Sequence, residues 1–329
     1  MLQRIAAVCA GVWMLGQAPV VQAQPLETPV VAQARKAPED ERTTHAEGRK
    51  RIGYGWILSN DLIGDGKDRW RSGSVASSRI YGHDWSGVRP ARFGDLLEIR
   101  FQGQIITPER LSAVNPADRP WAGALSLGLH SHAQIRGFDL SVGGDLVFIG
   151  PQTGLDSFQD SLHDLVGAPR PRAAVLARQI ADTVRPTAVA EIARSYSLSD
   201  SASLRPFAEL RAGDETLARI GADLVFGGAG AGELLVREAV TGQRYRAIAK
   251  PGSGLSFSMG GDIAHVDSSV YLPAGSTTPA RDTRSRVRAG VHWQGTATTA
   301  FYGLTYLGEE FSGQREGQLT GSLQFQVRF

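Results

Sequence analysis

The sequence of 329 residues carries a formal net charge of only +2. So small a net charge argues against a nucleic-acid partner. It contains 39 glycines and 3 methionines and is 42% hydrophobic, a composition that fits a strand-rich protein better than a helical one. Beyond the N-terminal segment no stretch approaches the roughly 18 uninterrupted apolar residues of a spanning helix. A membrane-embedded mature chain would therefore have to be a β-barrel.

The first 23 residues have the pattern of a secretory signal peptide. An apolar run follows Arg4 and ends at the small-residue triplet Val21-Gln22-Ala23. A transmembrane helix is the alternative, but glycine, glutamine and proline interrupt the run. The only cysteine, Cys9, lies in this segment, so the mature protein is predicted to lack cysteine. Residues 24–51 are rich in Pro, Ala and charge and are predicted to form a flexible periplasmic tail, which leaves residues 52–329 for the barrel.

From residue 52 onward, segments with alternate apolar or aromatic residues are separated by Gly, Pro, Asp and Ser clusters, as in membrane barrel strands. The last segment alternates most regularly, and its end at Phe329 resembles the signal read by the bacterial barrel-assembly machinery. An edge strand of a soluble sandwich is the alternative, but its apolar row would be an aggregation hazard. Twelve strands are predicted, an even number that places both termini in the periplasm: 52–59, 72–82, 93–103, 121–132, 135–149, 183–195, 203–213, 216–226, 254–268, 283–294, 298–308 and 319–329.

One long connection, between residues 150 and 183, departs from this pattern. Leu155, Phe158, Leu162 and Leu165 or Val166 form an apolar stripe at helical spacing. We therefore predict a short helix in this loop. Counted from a periplasmic N-terminus, the fifth strand ends at the cell exterior. The loop that follows it is therefore predicted to face the exterior.

The first candidate for chemistry is Ser59-Asn60-Asp61, at the end of the first predicted strand. A carboxylate beside an amide offers the hard oxygen ligands that calcium prefers. The alternative is ordinary turn chemistry, because Asn and Asp often start turns. The run from Asp68 to Gly73 leads into the second strand, and hairpin geometry brings it near Asn60 and Asp61.

Two further clusters lie later in the chain. The run from Asp118 to Gly123 contains an Asp–Arg pair, which is more often a structural clamp than a catalyst. Gln159 and His163 are four residues apart and share one face of the predicted helix. The ordinary pKa of histidine suits a general base near neutrality, although a lone histidine is more often a surface or hydrogen-bonded residue.

Taken in order, these clusters resemble the LpxR-type lipid A 3′-O-deacylases, over about residues 56–179. No single motif is specific, but their order along the chain is. The matching residues are Asn60-Asp61, the run from Asp68 to Gly73, Thr107-Pro108, the run from Asp118 to Gly123, Gly150-Pro151, Gln159, and His163 with Gly167.

The resemblance implies an all-β, twelve-stranded barrel in the outer membrane of a Gram-negative bacterium, with lipid A or lipopolysaccharide as its partner. It implies a calcium-dependent esterase site that faces the exterior, between the barrel wall and the loop helix. Asp61 would hold Ca²⁺, Asn60 and Ser72 would line the site, Gln159 would support it, and His163 would activate water. The basic side chains of Lys67, Arg69 and Arg71 are predicted to meet the lipid A phosphates.

The sequence also departs from the family pattern. Ser72 stands where the family commonly has Thr, Leu176 stands where it usually has Trp three residues before Gln179, and no lysine matches the one thought to stabilise the oxyanion. Three other functions stay open: a passive pore or structural barrel, a serine esterase that uses Ser72 or Ser59 with His163, and an inactive relative that binds lipopolysaccharide.

Overall fold

The computed structural model describes residues 48–167 and 169–327. The predicted signal peptide, the predicted tail up to residue 47 and the terminal Phe329 lie outside these residues. No helix in the described ranges has both the length and the apolar character needed to cross a membrane.

Twelve antiparallel strands form a closed barrel, which confirms the predicted fold class. In chain order the strands of the described residues are β1 Lys50–Asn60, β2 Trp70–Gly82, β3 Leu97–Thr107, β4 Ala122–Ile135, β5 Phe138–Ile149, β6 Thr183–Ala193, β7 Tyr196–Ser199, β8 Ala202–Ala212, β9 Glu215–Phe226, β10 Leu234–Arg237, β11 Arg244–Ile248, β12 Gly254–Ser269, β13 Thr283–Gln294, β14 Thr298–Leu307 and β15 Gln318–Val327.

All of these except β7, β10 and β11 form the barrel wall. Each strand pairs with the next from β1 to β6, β1 also pairs with β15, and the remaining wall runs through β14, β13, β12 and β9 to β8. A β6–β8 pairing closes the wall, and the short β7 lies beside β8.

Most strand boundaries differ from the prediction by one to four residues. The first strand begins at Lys50 rather than at residue 52. The third is Leu97–Thr107 rather than 93–103, because Gly94 adopts a left-handed turn conformation (φ 88°) and Pro108, which has no N–H to donate, follows the last residue. The fifth begins at Phe138, because Arg136 and Gly137 both have positive φ and form the tight turn that joins β4 to β5.

The outward face of the wall is apolar, as a lipid-facing surface requires. Leu127, Ile220 and Phe257 lie on three different strands and are each more than half exposed. The side chains between them along each strand point into the lumen, where most are buried and many are charged. This alternation is the pattern from which the strands were predicted.

A β-hairpin formed by β10 and β11 fills part of the lumen, and the sequence pattern did not predict it. Its apolar residues pack with Ile57 of β1 and with Ala76 and Ile80 of β2. β1 carries glycines at this contact: a Cβ on Gly53 or Gly55 would lie only 2.4 or 2.3 Å from a carbonyl oxygen of β11. The wall and the hairpin are thus shaped to fit each other.

Ion pairs fill the space around the hairpin. Arg237 on β10 pairs with Asp223 at 2.8 Å and with Glu191 at 2.7 Å, and Arg246 on β11 pairs with Glu233 at 2.6 Å. Because breaking such buried pairs leaves uncompensated charge, the hairpin is held firmly in place. A filled lumen argues against the passive-pore alternative.

Replacement of residues 230–251 by a short Gly-Ser linker is therefore expected to open an ion-conducting channel in planar bilayers, whereas the intact chain should conduct poorly. The control carries the same Gly-Ser linker as an insertion beside the exposed His83, in the turn after β2. Heat-modifiable mobility in gels would show that both variants are folded barrels. Equal conductance of the deletion variant and the intact chain would contradict the assignment of the hairpin as a plug.

Candidate active site

The helix predicted in the long loop is present as α1, Leu155–Val166. It lies between glycines of left-handed conformation, Gly154 and Gly167, which begin and end it. Leu165, part of the predicted apolar stripe, is 69% exposed, whereas Gln159 and His163 are 2% and 6% exposed. The helix therefore buries a polar pair against the rest of the protein, and such burial requires specific partners.

The start of α1 lies on the outer surface of the barrel wall, at the rim where β1 ends. Strand register places Asn60, Gly73, Ile105 and Gly123 in one row across β1 to β4. This row faces outward, because its neighbours along the strands pack into the lumen. A Cβ on Gly123 would lie 2.9 Å from Cβ of Leu155. The glycine thus lets α1 approach the outer wall closely.

Trp121 attaches α1 to the wall. Its indole is fully buried, and its Nε1–H donates to Oε1 of Gln159 at 2.8 Å. Around it pack Leu111 and Val175, the latter from the short helix α2, Ala173–Leu176, with Leu176 partly buried beside them. The oxygen of Gln159 is thus used to position the helix; it was predicted to support or bind substrate.

His163 points both of its ring nitrogens at defined partners. Nδ1 donates to the carbonyl oxygen of Pro169 at 2.6 Å. Nε2 lies 3.1 Å from Oδ2 of Asp68, an ion-pair distance, although the contact lacks hydrogen-bond alignment. Asp68 belongs to the predicted cluster before β2 but was not assigned a role. The structure makes it the acidic partner of His163.

Ser72 lies on the other side of Asp68. Its Oγ–H donates to Oδ1 of Asp68 at 2.5 Å, so the order of contacts is serine, aspartate, histidine. In a nucleophilic serine triad the histidine stands between the other two. The hydroxyl of Ser72 therefore holds Asp68 in place and is not placed for activation by His163.

Asp61 is a buried carboxylate with one unused oxygen. Oδ2 accepts from the backbone N–H of Arg69 at 2.8 Å and from Nε2 of Gln318 at 3.2 Å. Oδ1 is buried without a hydrogen-bond partner among the described residues. Burial raises the pKa of Asp61 well above its usual range, against the Arg69 hydrogen bond, and the nearby carboxylates of Asp68 and Asp65 raise it further. This turn is thus short of positive charge.

A hard divalent cation would supply that charge and satisfy the free oxygen of Asp61. Within residues 48–167 and 169–327 no three His, Cys, Asp or Glu side chains form a metal cluster. The rest of the ligand shell would therefore consist of backbone carbonyls and water, which calcium accepts. Asn60 does not add an obvious ligand, because its Oδ1 accepts from the N–H of Leu62 at 2.7 Å and caps a short 3₁₀ helix.

The three basic residues near the site occupy different positions. Lys67 is about half exposed and pairs with Glu316 at 3.1 Å. Arg69 is buried, stacks over Trp70 at 4.1 Å and pairs with the same glutamate at 2.9 Å. Arg71 is buried in the lumen and pairs with Glu310 at 2.8 Å. Of the three predicted phosphate contacts, only Lys67 therefore has a solvent-exposed head.

Comparison with known proteins fits this geometry. A protein-family model described as outer membrane protein LpxR matches residues 20–329. The chain belongs to the LpxR family. The match extends well beyond the motif-bearing residues 56–179, from which the sequence resemblance was drawn, and places the chain among the outer-membrane β-barrels.

LpxR from Salmonella typhimurium has a similar structure, with a TM-score of 0.71 at 16% identity over 84% of this chain and 100% of that one. At this identity the likeness shows the shared fold alone. The β domain of the Bordetella autotransporter BrkA matches at a TM-score of 0.46 and 13% identity, over 84% of this chain and 100% of that chain. No curated protein matches the sequence.

Proposed function

We propose that this LpxR-family protein is a calcium-dependent esterase that removes the 3′-linked acyloxyacyl chain of lipid A. Family membership supports an outer-membrane protein that modifies lipid A. The observation that carries the proposal furthest is the contact of His163 with Asp68, which is held by Ser72 on the lipid-facing side of the rim. We place this site on the exterior side of the outer membrane, after insertion by the barrel-assembly machinery.

His163 has the arrangement of a general base. Because Nδ1 donates to Pro169, the neutral ring carries its lone pair on Nε2. The contact of Nε2 with Asp68 is not aligned as a hydrogen bond, so this nitrogen can take a proton from an attacking water. Asp68, 3.1 Å away, stabilises the imidazolium that results. The same proton is then available for the leaving sugar oxygen. Water is the nucleophile in this route, so no acyl-enzyme forms.

Asp61 is the residue that would hold calcium, through its unused Oδ1. Calcium bound there would polarise the ester carbonyl and stabilise the negative charge that develops on its oxygen. The adjacent lipid-facing wall, where Leu127 and Leu129 are more than half exposed, gives an acyl chain access to the site from within the bilayer.

Ser72→Ala separates this route from the serine-esterase alternative. Loss of one hydrogen bond to Asp68 is expected to lower the rate by no more than about tenfold, whereas loss of a nucleophile would abolish turnover. Initial rates on lipid A would be measured with Ser77→Ala, on the same strand, as the control. Complete loss in Ser72→Ala alone would favour the serine nucleophile.

The proposed function is tested by mass spectrometry of lipid A from cells that express the chain or carry an empty vector, each grown with calcium or with a chelator. Loss of the 3′ acyloxyacyl mass in calcium-replete expressing cells is expected. Unchanged lipid A in all samples, with a folded and surface-exposed barrel, would favour an inactive lipopolysaccharide-binding protein.

A further inference from the structure

The turn that carries Asp61 is held by a side chain from the far end of the sequence. Gln318 is the first residue of β15 and is only 1% exposed. The pairing of β15 with β1 stops at Asn60, which lies opposite Gly321, so the first residues of β15 extend beyond the end of β1. The amide of Gln318 thereby reaches the gap between β15 and β2 that β1 no longer fills.

Within that gap the amide takes the place of a strand backbone. Its Oε1 accepts from the N–H of Arg71 at 3.0 Å. Its Nε2 donates to the carbonyl oxygen of Arg69 at 2.6 Å and to that of Arg71 at 3.2 Å. Both arginines are buried, and they precede Gly73, the first residue of β2 that pairs with β1. Because buried backbone groups need partners, Gln318 completes the start of β2.

The same amide also orients the carboxylate of Asp61. Nε2 of Gln318 lies 3.2 Å from Oδ2 of Asp61, so its two hydrogens are shared among three acceptors. The N–H of Arg69 donates to the same Oδ2 at 2.8 Å, whereas Oδ1 has no partner among the described residues. Two donors on one oxygen fix the rotation of the carboxylate. Gln318 thus helps to set the direction of the oxygen that would take a cation.

We propose that Gln318 is a positioning residue of the cation site, which holds Asp61 so that Oδ1 faces the ion. This role rests on the proposed function, in which Asp61 binds calcium. Gln318 lies well outside residues 56–179, from which the sequence resemblance was drawn. Hydrogen-bond partners of a metal ligand commonly contribute about 10–100-fold to metal affinity, so the loss of this amide has a measurable effect.

The same strand carries a matched control for this residue. Gln324 is 2% exposed, and its amide also bonds both backbone groups of one residue. Its Oε1 accepts from the N–H of Arg246 at 3.0 Å, and its Nε2 donates to the carbonyl oxygen of Arg246 at 2.8 Å. Arg246 belongs to the hairpin in the lumen. Loss of either amide should destabilise the barrel, but only loss of Gln318 should weaken cation binding.

The test measures cation binding without hydrolysis. Terbium, a luminescent ion that takes the oxygen ligands of calcium, would be titrated into the full chain in detergent, and the signal of this site is the part that Asp61→Asn removes. Gln318→Met, which keeps the side-chain length without the amide, is expected to raise the terbium Kd about 10–100-fold. Gln324→Met should leave the Kd unchanged. The rise in melting temperature on addition of calcium should likewise shrink only in Gln318→Met.

Gln318→Asn, with its amide on a shorter side chain, is the second variant should Gln318→Met not fold, and it should weaken terbium binding as well. Equal Kd values for wild type and a folded Gln318 variant, or equal weakening in Gln324→Met, would overturn the proposal. A wild type that binds no terbium through Asp61 would remove the cation site and the role of Gln318 together. Terbium binding that depends on both residues, without hydrolysis of lipid A, would support this role and contradict the proposed function alone.

Discussion

Replacement of His163 by alanine is expected to reduce lipid A hydrolysis by about 10²–10⁴-fold, the usual contribution of a general base. The variant loses the nitrogen that takes the proton from water, together with the contact to Asp68. Initial rates with purified protein and lipid A, at saturating calcium, would measure the effect. The barrel should be unaffected, because α1 keeps its Gln159–Trp121 hydrogen bond on the outer wall.

His83→Ala is the matched control for this change, because His83 is exposed in the turn after β2, away from α1. Its rate should equal that of the wild type. A His163→Ala variant that is folded and retains more than about a tenth of the wild-type rate would show that another group activates the water.

Asp61→Asn is expected to lower the rate by about 10²–10³-fold at calcium concentrations that saturate the wild type, the range found when one oxyanion-stabilising contact is lost. The asparagine oxygen can still accept from Arg69, so the turn should keep its shape. What is lost is the negative charge at the unpartnered oxygen. Terbium luminescence, with terbium as a calcium analogue, would report binding separately from activity.

Asp65→Asn is the control for Asp61→Asn, because both carboxylates lie in the same turn. Both oxygens of Asp65 have partners, in Lys67 and Arg69. Its replacement should leave terbium binding within a few fold of the wild type. Equal loss in both variants would mean that the turn responds to total charge, and full binding by Asp61→Asn would exclude Asp61 as a ligand.

The barrel wall could be predicted from the sequence because lipid on one side and a polar lumen on the other impose a period of two. The hairpin of β10 and β11 could not be predicted in this way. Its strands have only four and five residues, and they are buried on nearly all sides inside the lumen. Because neither face of such a strand contacts lipid, its sequence does not alternate between apolar and polar residues in the way that predicts a wall strand.

The apolar stripe predicts the helix α1, but it does not predict which face of the helix is buried. Gln159 and His163 are the most buried residues among positions 155–165 because Trp121 and Asp68 provide partners from distant parts of the chain. The role of Asp68 cannot be predicted from the sequence for the same reason, although this residue lies four positions before Ser72. Arg69 and Arg71 were assigned to phosphates because their acidic partners, Glu316 and Glu310, lie far away in sequence.

The central claim is that calcium and His163 together hydrolyse the 3′ ester of lipid A. It is tested most directly by mass spectrometry of both products after purified chain, wild type or His163→Ala, is mixed with lipid A in calcium or chelator. The account predicts a free acyloxyacyl acid and a lipid A shortened at the 3′ position only with wild type in calcium. Equal product from wild type in chelator, or from folded His163→Ala, would contradict it.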